Sequence, residues 1–508
     1  MAKTSRLIVG DTAQSYYQRV MAYGALATPS EHTPANFYRM LEAYYLNNGL
    51  YDVMQTALYN AGIWTPGMKA LRNPANRAVE FYAMKLWPGS LPKALPIITA
   101  NERIIEPIHQ VWAWSNWGSE KQLAARWYSM FGDLFIKVAT DASLTGAGED
   151  TPKAERVFFQ NIKPEYVINF KLDTRGHVTY IRIDTPKTVT EGGRDVTKVH
   201  IETWDKAAGL YREYLSTSRG AKLSQLKPTR ELSMDAFGID FVPVVHAKLR
   251  DIGEDRGVGC FVHVLDKIDE ANRMATRLHQ ILFRFNKPTL AVGANANDPQ
   301  GRPLPPPRIG TAGDDEMDIE DNDIIRLPGM ATLEMLVPDI KYADALSILD
   351  AQMSEIKADL PELKYYEMVD LAAQISGRAV RLMLGDAVDK VIEARGNIET
   401  ALARADAMAL TIGKNAGLFG DIGDYEKGDF AHTFAERDVI PIDTQETAET
   451  ITAEKSAGFA LPFSMRRHGF SEAEIEQNAA DLQAERDAQQ QGLGNAIMDA
   501  LRRERGVE

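Results

Sequence analysis

Apolar residues recur every three or four positions in the outer parts of this chain. From Arg156 to about Ser216 they recur every second position, and the two periods separate helical from extended regions. Asn76 to Trp87 and Asn101 to Trp117 read as amphipathic helices; in the second, Asn101 can cap while Ile104, Ile105, Ile108, Val111 and Trp112 share one face. Glu120 to Phe131 is a third helix, stopped by Gly132-Asp133 and followed at once by a strand, Leu134 to Val138. Strands are expected at Glu165–Phe170, His177–Asp184, Thr197–Trp204 and Leu210–Leu215. The turns Asp173-Thr174-Arg175-Gly176, Glu191-Gly192-Gly193-Arg194 and Ala208-Gly209 join them. This is an antiparallel meander, with Pro243–Lys248 expected as one more strand returning to it.

A long helix, Val262 to Phe285, follows. It places Leu265, Ile268, Ala271, Ala275, Leu278, Leu282 and Phe285 on a packing face, and Lys267, Glu270, Arg273, Arg277 and Arg284 on a wet one. Four prolines within Pro303–Pro307 exclude a helix or central strand there. Helix resumes over Asp339–Lys357, is interrupted at Pro361, and continues from about Gln374 to Lys414. Weaker helices at Thr444–Ala457 and Ser471–Gln490 precede an end expected to be mobile. The fold class is α+β.

Composition adds limits. The 508 residues are 44% hydrophobic and 25% charged, an ordinary globular balance. Cys260 is the single cysteine, so an intrachain disulfide framework or Cys-based metal site is excluded. Met1 to Gly10 does not read as a secretory signal, and no run of apolar residues is long enough for a membrane span. The formal net charge of -14 opposes tight nucleic-acid binding, which gains affinity by neutralising phosphates.

Catalytic signals are sparse. The chain lacks the glycine-rich loop ending in Gly-Lys-Ser/Thr that a nucleotide-driven motor needs. Gly257-Val258-Gly259-Cys260-Phe261-Val262 lacks the third glycine of a dinucleotide fingerprint. The nine histidines form no His-x-x-x-His pair, and Ser354-Glu355-Ile356-Lys357 stands without the companion strings of a penicillin-binding enzyme. The acidic run Asp314, Asp315, Glu316, Asp318, Glu320, Asp321 and Asp323 could attract a hard cation, but the glycine and terminal glutamate of an EF-hand loop are missing. A solvated acidic loop is the better reading.

The order of several passages, over roughly residues 70 to 490, resembles the portal proteins of tailed double-stranded DNA phages. The first passage is Trp127 to Val138, aromatic, glycine, acid, then strand. The second is Phe241-Val242-Pro243-Val244-Val245-His246, then Gly257-Val258-Gly259, then a helix opening Leu265 to Asn272. The third is Ile375-Ser376-Gly377-Arg378-Ala379-Val380-Arg381-Leu382. The fourth runs through Val439–Asp443, Ala457-Gly458-Phe459 and His468–Glu476. The resemblance implies a wing (1–256), a stem helix (257–286), a clip (287–338), a second stem helix (339–358), a tunnel loop (359–376), channel-lining and wing helices (377–443), and crown helices with a mobile tail (444–508). It also implies a non-enzymatic ring of about twelve copies without cofactor. The ring would lie at one capsid vertex of a virion and be assembled in the host cytoplasm. Double-stranded DNA would pass through it, and terminase, a major capsid or scaffold protein and a head–tail adaptor would be partners; no membrane is involved.

On that reading Glu362, Lys364, Tyr365, Tyr366 and Glu367 are tunnel-loop candidates, with packing of both tyrosines under a neighbouring helix as the alternative. Arg378 and Arg381 lie one turn apart; they would pair with Asp386 or Asp389, or with carboxylates of an adjacent subunit. The 314–323 acids are candidates for a lumen that repels DNA and lets it slide. Competing readings are another virion connector protein and a metal-dependent hydrolase using those acids.

Overall fold

The computed structural model describes residues 34–47, 49–52, 55, 59, 65–140, 156–191, 194–285, 289–294, 300, 302, 331–336, 342–369, 382–440, 444–467, 470 and 474–489. In chain order the first elements are α1 (Pro34–Leu46), α2 (Ala75–Lys85), β1 (Ile97–Thr99), α3 (Ile105–Trp114), α4 (Trp117–Phe131), β2 (Asp133–Thr140) and β3 (Val157–Ile162). Then come β4 (Val167–Leu172), β5 (Val178–Glu191), β6 (Arg194–Asp205), β7 (Leu210–Ser216), β8 (Arg230–Ser233) and β9 (Val244–Lys248). Further along are α5 (Leu265–Phe285), β10 (Thr289–Ala294), β11 (Ala331–Leu336), α6 (Tyr342–Asp359), α7 (Lys364–Val369), α8 (Gly385–Asn415), β12 (His432–Phe434), α9 (Thr444–Ser456) and α10 (Leu461–Arg467), and residues 474–489 are helical as well. The mixture is α+β.

Two compact units result, one holding residues up to Glu367 together with Asp386–Ala435, the other Met368–Gly385 and Glu436 onward. In the second, the chain leaves α9 through Gly458, whose φ of +97° suits a residue without Cβ, and turns into α10 with Phe459 stacked on Phe463.

In the first unit, Asn101 accepts a hydrogen bond from the Arg103 N–H, the expected cap, and a short 3-10 turn leads into α3. The helix expected to reach Trp117 stops instead at Ser115, because Asn116 adopts a left-handed conformation and starts α4 in a new direction. The α4 helix ends at Gly132 (φ +80°), and β2 follows directly, buried along nearly its whole length. A strand buried on both faces needs partners on both edges. β9 lies beside it in the order β3-β2-β9, so Pro243–Lys248 pairs with β2 and not with the meander. The meander is closed by β8 instead, giving β4-β5-β6-β7-β8; at four residues β8 is too short to declare its period.

Glycines 132, 257 and 259 mark a crossing of backbones. A Cβ on Gly132 would lie 2.4 Å from the Val258 carbonyl carbon, and one on Gly257 2.1 Å from the Gly132 oxygen. Close approach, not phosphate binding, accounts for Gly257-Val258-Gly259. Asp133 sits beside the crossing, fully buried. Its carboxylate accepts from the Tyr38 hydroxyl (2.5 Å) and the Gly257 N–H (2.8 Å) and faces His246 Nε2 at 2.7 Å. Arg256 donates to the Tyr38 hydroxyl at 2.7 Å. Two passages far apart in the chain are thereby joined by a satisfied polar cluster.

Candidate functional site

The candidate site is the helical hairpin α5/α6 with the turn at its base. The two helices run antiparallel: Lys267, in the first turn of α5, pairs with Glu355 (2.5 Å) and Asp359 (2.7 Å) near the end of α6. Between them the chain forms β10 and β11, antiparallel from Thr289↔Leu336 to Ala294↔Ala331.

The basal half of α5 is locked into its unit. Leu265, Ile268, Ala271 and Ala275 are buried, as the periodicity requires. So is a second stripe, Asp269, Asn272 and Thr276, that the polar pattern did not reveal. Asp269 accepts from the hydroxyls of Tyr44 (2.8 Å) and Tyr51 (2.9 Å). Asn272 donates to the Tyr51 hydroxyl and the Arg72 carbonyl and accepts from the Arg72 N–H, and Thr276 Oγ1 accepts from the Lys69 N–H. Spacing of three and four puts these three polar residues on one stripe, which is the signal available in the sequence.

The distal half differs. Leu282 is 44% exposed, Leu346 48% and Ile348 53%. A groove of about 250 Å³ opens among Leu71, Ala275, Leu278, Leu282, Leu346 and Leu349. Among the described side chains of the packing face predicted for α5, the first half is buried, Leu278 is half-buried and Leu282 is exposed.

At the base, residues 361–369 are helical instead of an open loop. Glu362 is wholly enclosed, with Oε2 3.5 Å from Lys390 Nζ and Oε1 without a hydrogen bond. Burial pushes its carboxyl above the usual range against the pull of Lys390, and burial likewise raises the Cys260 thiol. Within the subunit, then, Glu362 is not presented to a passing polymer. The Tyr365 ring meets Phe81 edge-on and lies beneath Lys85 Nζ, 4.4 Å from the ring centre. Tyr366 donates to the Arg77 carbonyl at 2.9 Å. These are the contacts of the packing alternative. Lys364 is half-buried, and Glu367 is exposed and paired with Lys357.

Asp386 and Asp389 are exposed at the start of α8. Arg378 and Arg381 lie outside the described residues, as do Asp314, Asp315, Glu316, Asp318, Glu320, Asp321 and Asp323, the Pro303–Pro307 stretch, and the tail after residue 489. Ser354 bonds back to the Asp350 carbonyl on α6, and Lys357 is engaged by Glu367, so the Ser-x-x-Lys string builds no nucleophile. A cleft of about 410 Å³ between β2, the turn Asp235–Ile239 and the end of α8 has Asp235 as the single charged residue in its lining. Among the described residues no group of three or more His, Cys, Asp or Glu is placed to hold a metal, and no helix is long and apolar enough to cross a membrane.

No family model matches the sequence, and no curated protein matches it. Among solved structures the chain is similar to one from the neck of a native GTA particle computed with C12 symmetry, at 12% identity and a TM-score of 0.43 over 82% of this chain and 93% of that one. It is also similar to a chain of the virion of a native gene transfer agent particle, at 12% identity and a TM-score of 0.42 over 88% and 96% respectively.

Proposed function

We propose that this chain is the repeating subunit of a ring-shaped portal at one capsid vertex, a non-enzymatic conduit for double-stranded DNA. The observation that carries the reading is the α5–β10–β11–α6 unit: two antiparallel helices bracketing a two-stranded pair, in the stem, clip, stem order of the family that the sequence resembles. Their distal apolar residues are left exposed. A monomer has no use for an uncovered leucine stripe, whereas copies packed side by side would cover it. A formal charge of -14 per copy suits a wall along which a polyanion slides instead of sticking.

On this reading the segment 359–376, the enclosed Glu362 apart, narrows the channel, Asp386 and Asp389 face an adjacent copy, and terminase, capsid or scaffold protein and head–tail adaptor dock on the ring. Mass photometry with negative-stain imaging tests it. Rings of many 56.5 kDa copies are expected. A monodisperse single subunit at every concentration would overturn the proposal. Another virion connector protein is the second reading, favoured if rings form but DNA does not enter them.

A further inference from the structure

The β5–β6 hairpin outruns the sheet that carries it. Its strands pair from Tyr180↔Asp205 to Glu191↔Arg194, but β4 supports β5 only as far as Ile183, and β7 supports β6 only from Val199. The pairs Lys187↔Lys198, Thr188↔Thr197, Val189↔Val196, Thr190↔Asp195 and Glu191↔Arg194 thus form a two-stranded ribbon reaching about 17 Å past its neighbours. Lys187, Thr188, Thr190 and Val196 are exposed along it.

A ribbon of two strands with both edges bare is marginal by itself. This one is nonetheless rich in β-branched residues that prefer a covered, pleated surface. Its charge points to the cover. Residues 185–200 hold Lys187, Arg194 and Lys198 against Glu191 and Asp195, or 3 − 2 = +1, which leaves -14 − 1 = -15 on the rest of the chain. A second copy therefore offers an acidic body to a slightly basic arm. A surplus of one charge is too small to grip nucleic acid, which takes several Lys or Arg contacts.

We infer that the β5–β6 arm is an assembly contact that lies against the neighbouring copy of this chain. The inference rests on the ring reading. Cys260 is buried, so in full-length T188C a maleimide–benzophenone probe labels the arm selectively. Irradiating the assembled protein with duplex DNA present should give adducts of twice the subunit mass. Peptide mapping should find the arm joined to a second chain, and K187E/K198E in the same background should lower that yield about tenfold.

If rings form but the probe reacts only within its own subunit, or with DNA, the arm assignment is overturned and the ring stands. A T188C protein that links between chains equally well with and without K187E/K198E would remove the electrostatic basis. If the protein never assembles, the arm contact and the ring reading fall together.

Discussion

The two halves of the α5/α6 hairpin are built from similar residues and finished differently. At the base, Ile268 and Ala271 are covered by the subunit, and the polar stripe Asp269, Asn272, Thr276 finds hydroxyl and backbone partners from the segment between Tyr44 and Arg72. Toward the tip, Leu282, Leu346 and Ile348 keep about half of their surface in water. One helix thus passes from a completed environment to an incomplete one. The lesson is that burial within the chain explains half of the apolar stripe, and association is needed for the other half.

Mutations at the two ends should separate these roles. The largest effect is expected from Asp269→Ala, which removes the buried carboxylate that accepts from Tyr44 and Tyr51 and should cost about 4 kcal/mol in urea unfolding of the full chain. Ile268→Ala, a cavity at the base, should cost about 3 kcal/mol by the same measurement. Equal losses from Leu282→Ala and Ile268→Ala would erase the distinction between the halves.

A buried pair away from the hairpin supplies a pH test. Asp406 faces His432 Nε2 at 3.2 Å and accepts from Trp112 Nε1 at 2.9 Å, while His432 Nδ1 faces the Phe430 carbonyl. Burial works against the imidazolium, but the hydrogen bond and charge of Asp406 outweigh it and hold His432 above its ordinary value of 6.5. Because the folded value is raised, the stabilisation is full below pH 6.5 and is lost as pH rises through the folded value. Thermal melting temperatures should therefore fall on the alkaline side of neutrality. His432→Gln should flatten that slope while leaving basal and distal hairpin variants ranked as before.

Lys267→Ala, at the exposed ion pairs with Glu355 and Asp359, should cost about 0.5 kcal/mol, and less at high salt. Smallest of all for the isolated subunit is Leu282→Asp with Leu346→Asp, within about 0.5 kcal/mol of the parent. Its effect belongs to particle size, where mass photometry should show the ring population lost. Intact rings in that double variant would mean the exposed leucines are not what joins the copies.

Much of this was legible in the residues. The three-to-four spacing of α5, the Gly132 stop before β2 and the turns of the meander depend on near neighbours, so a local reading finds them. The placement of β9 does not, because β2 acquires two partners only once it is buried on both sides. The burial of Asp269 and Asn272 is not local either, since their partners lie more than 190 residues earlier in the chain. Tyr365 and Tyr366 admitted two readings because an aromatic before a helix can seal a core or line a passage, and only the positions of Phe81 and Arg77 distinguish them. Leu282 was expected to be covered because spacing identifies a face without saying what meets it.

The glycine crossing has a mechanical consequence. Where Gly132 and Gly257 abut, main chain rests on main chain with no side chain between to yield. The α5 helix begins a few residues beyond and extends about 30 Å. A push on its far end therefore acts on a lever whose fulcrum is stiff, and the load passes into the β3-β2-β9 sheet instead of being absorbed by rotamer changes at the pivot.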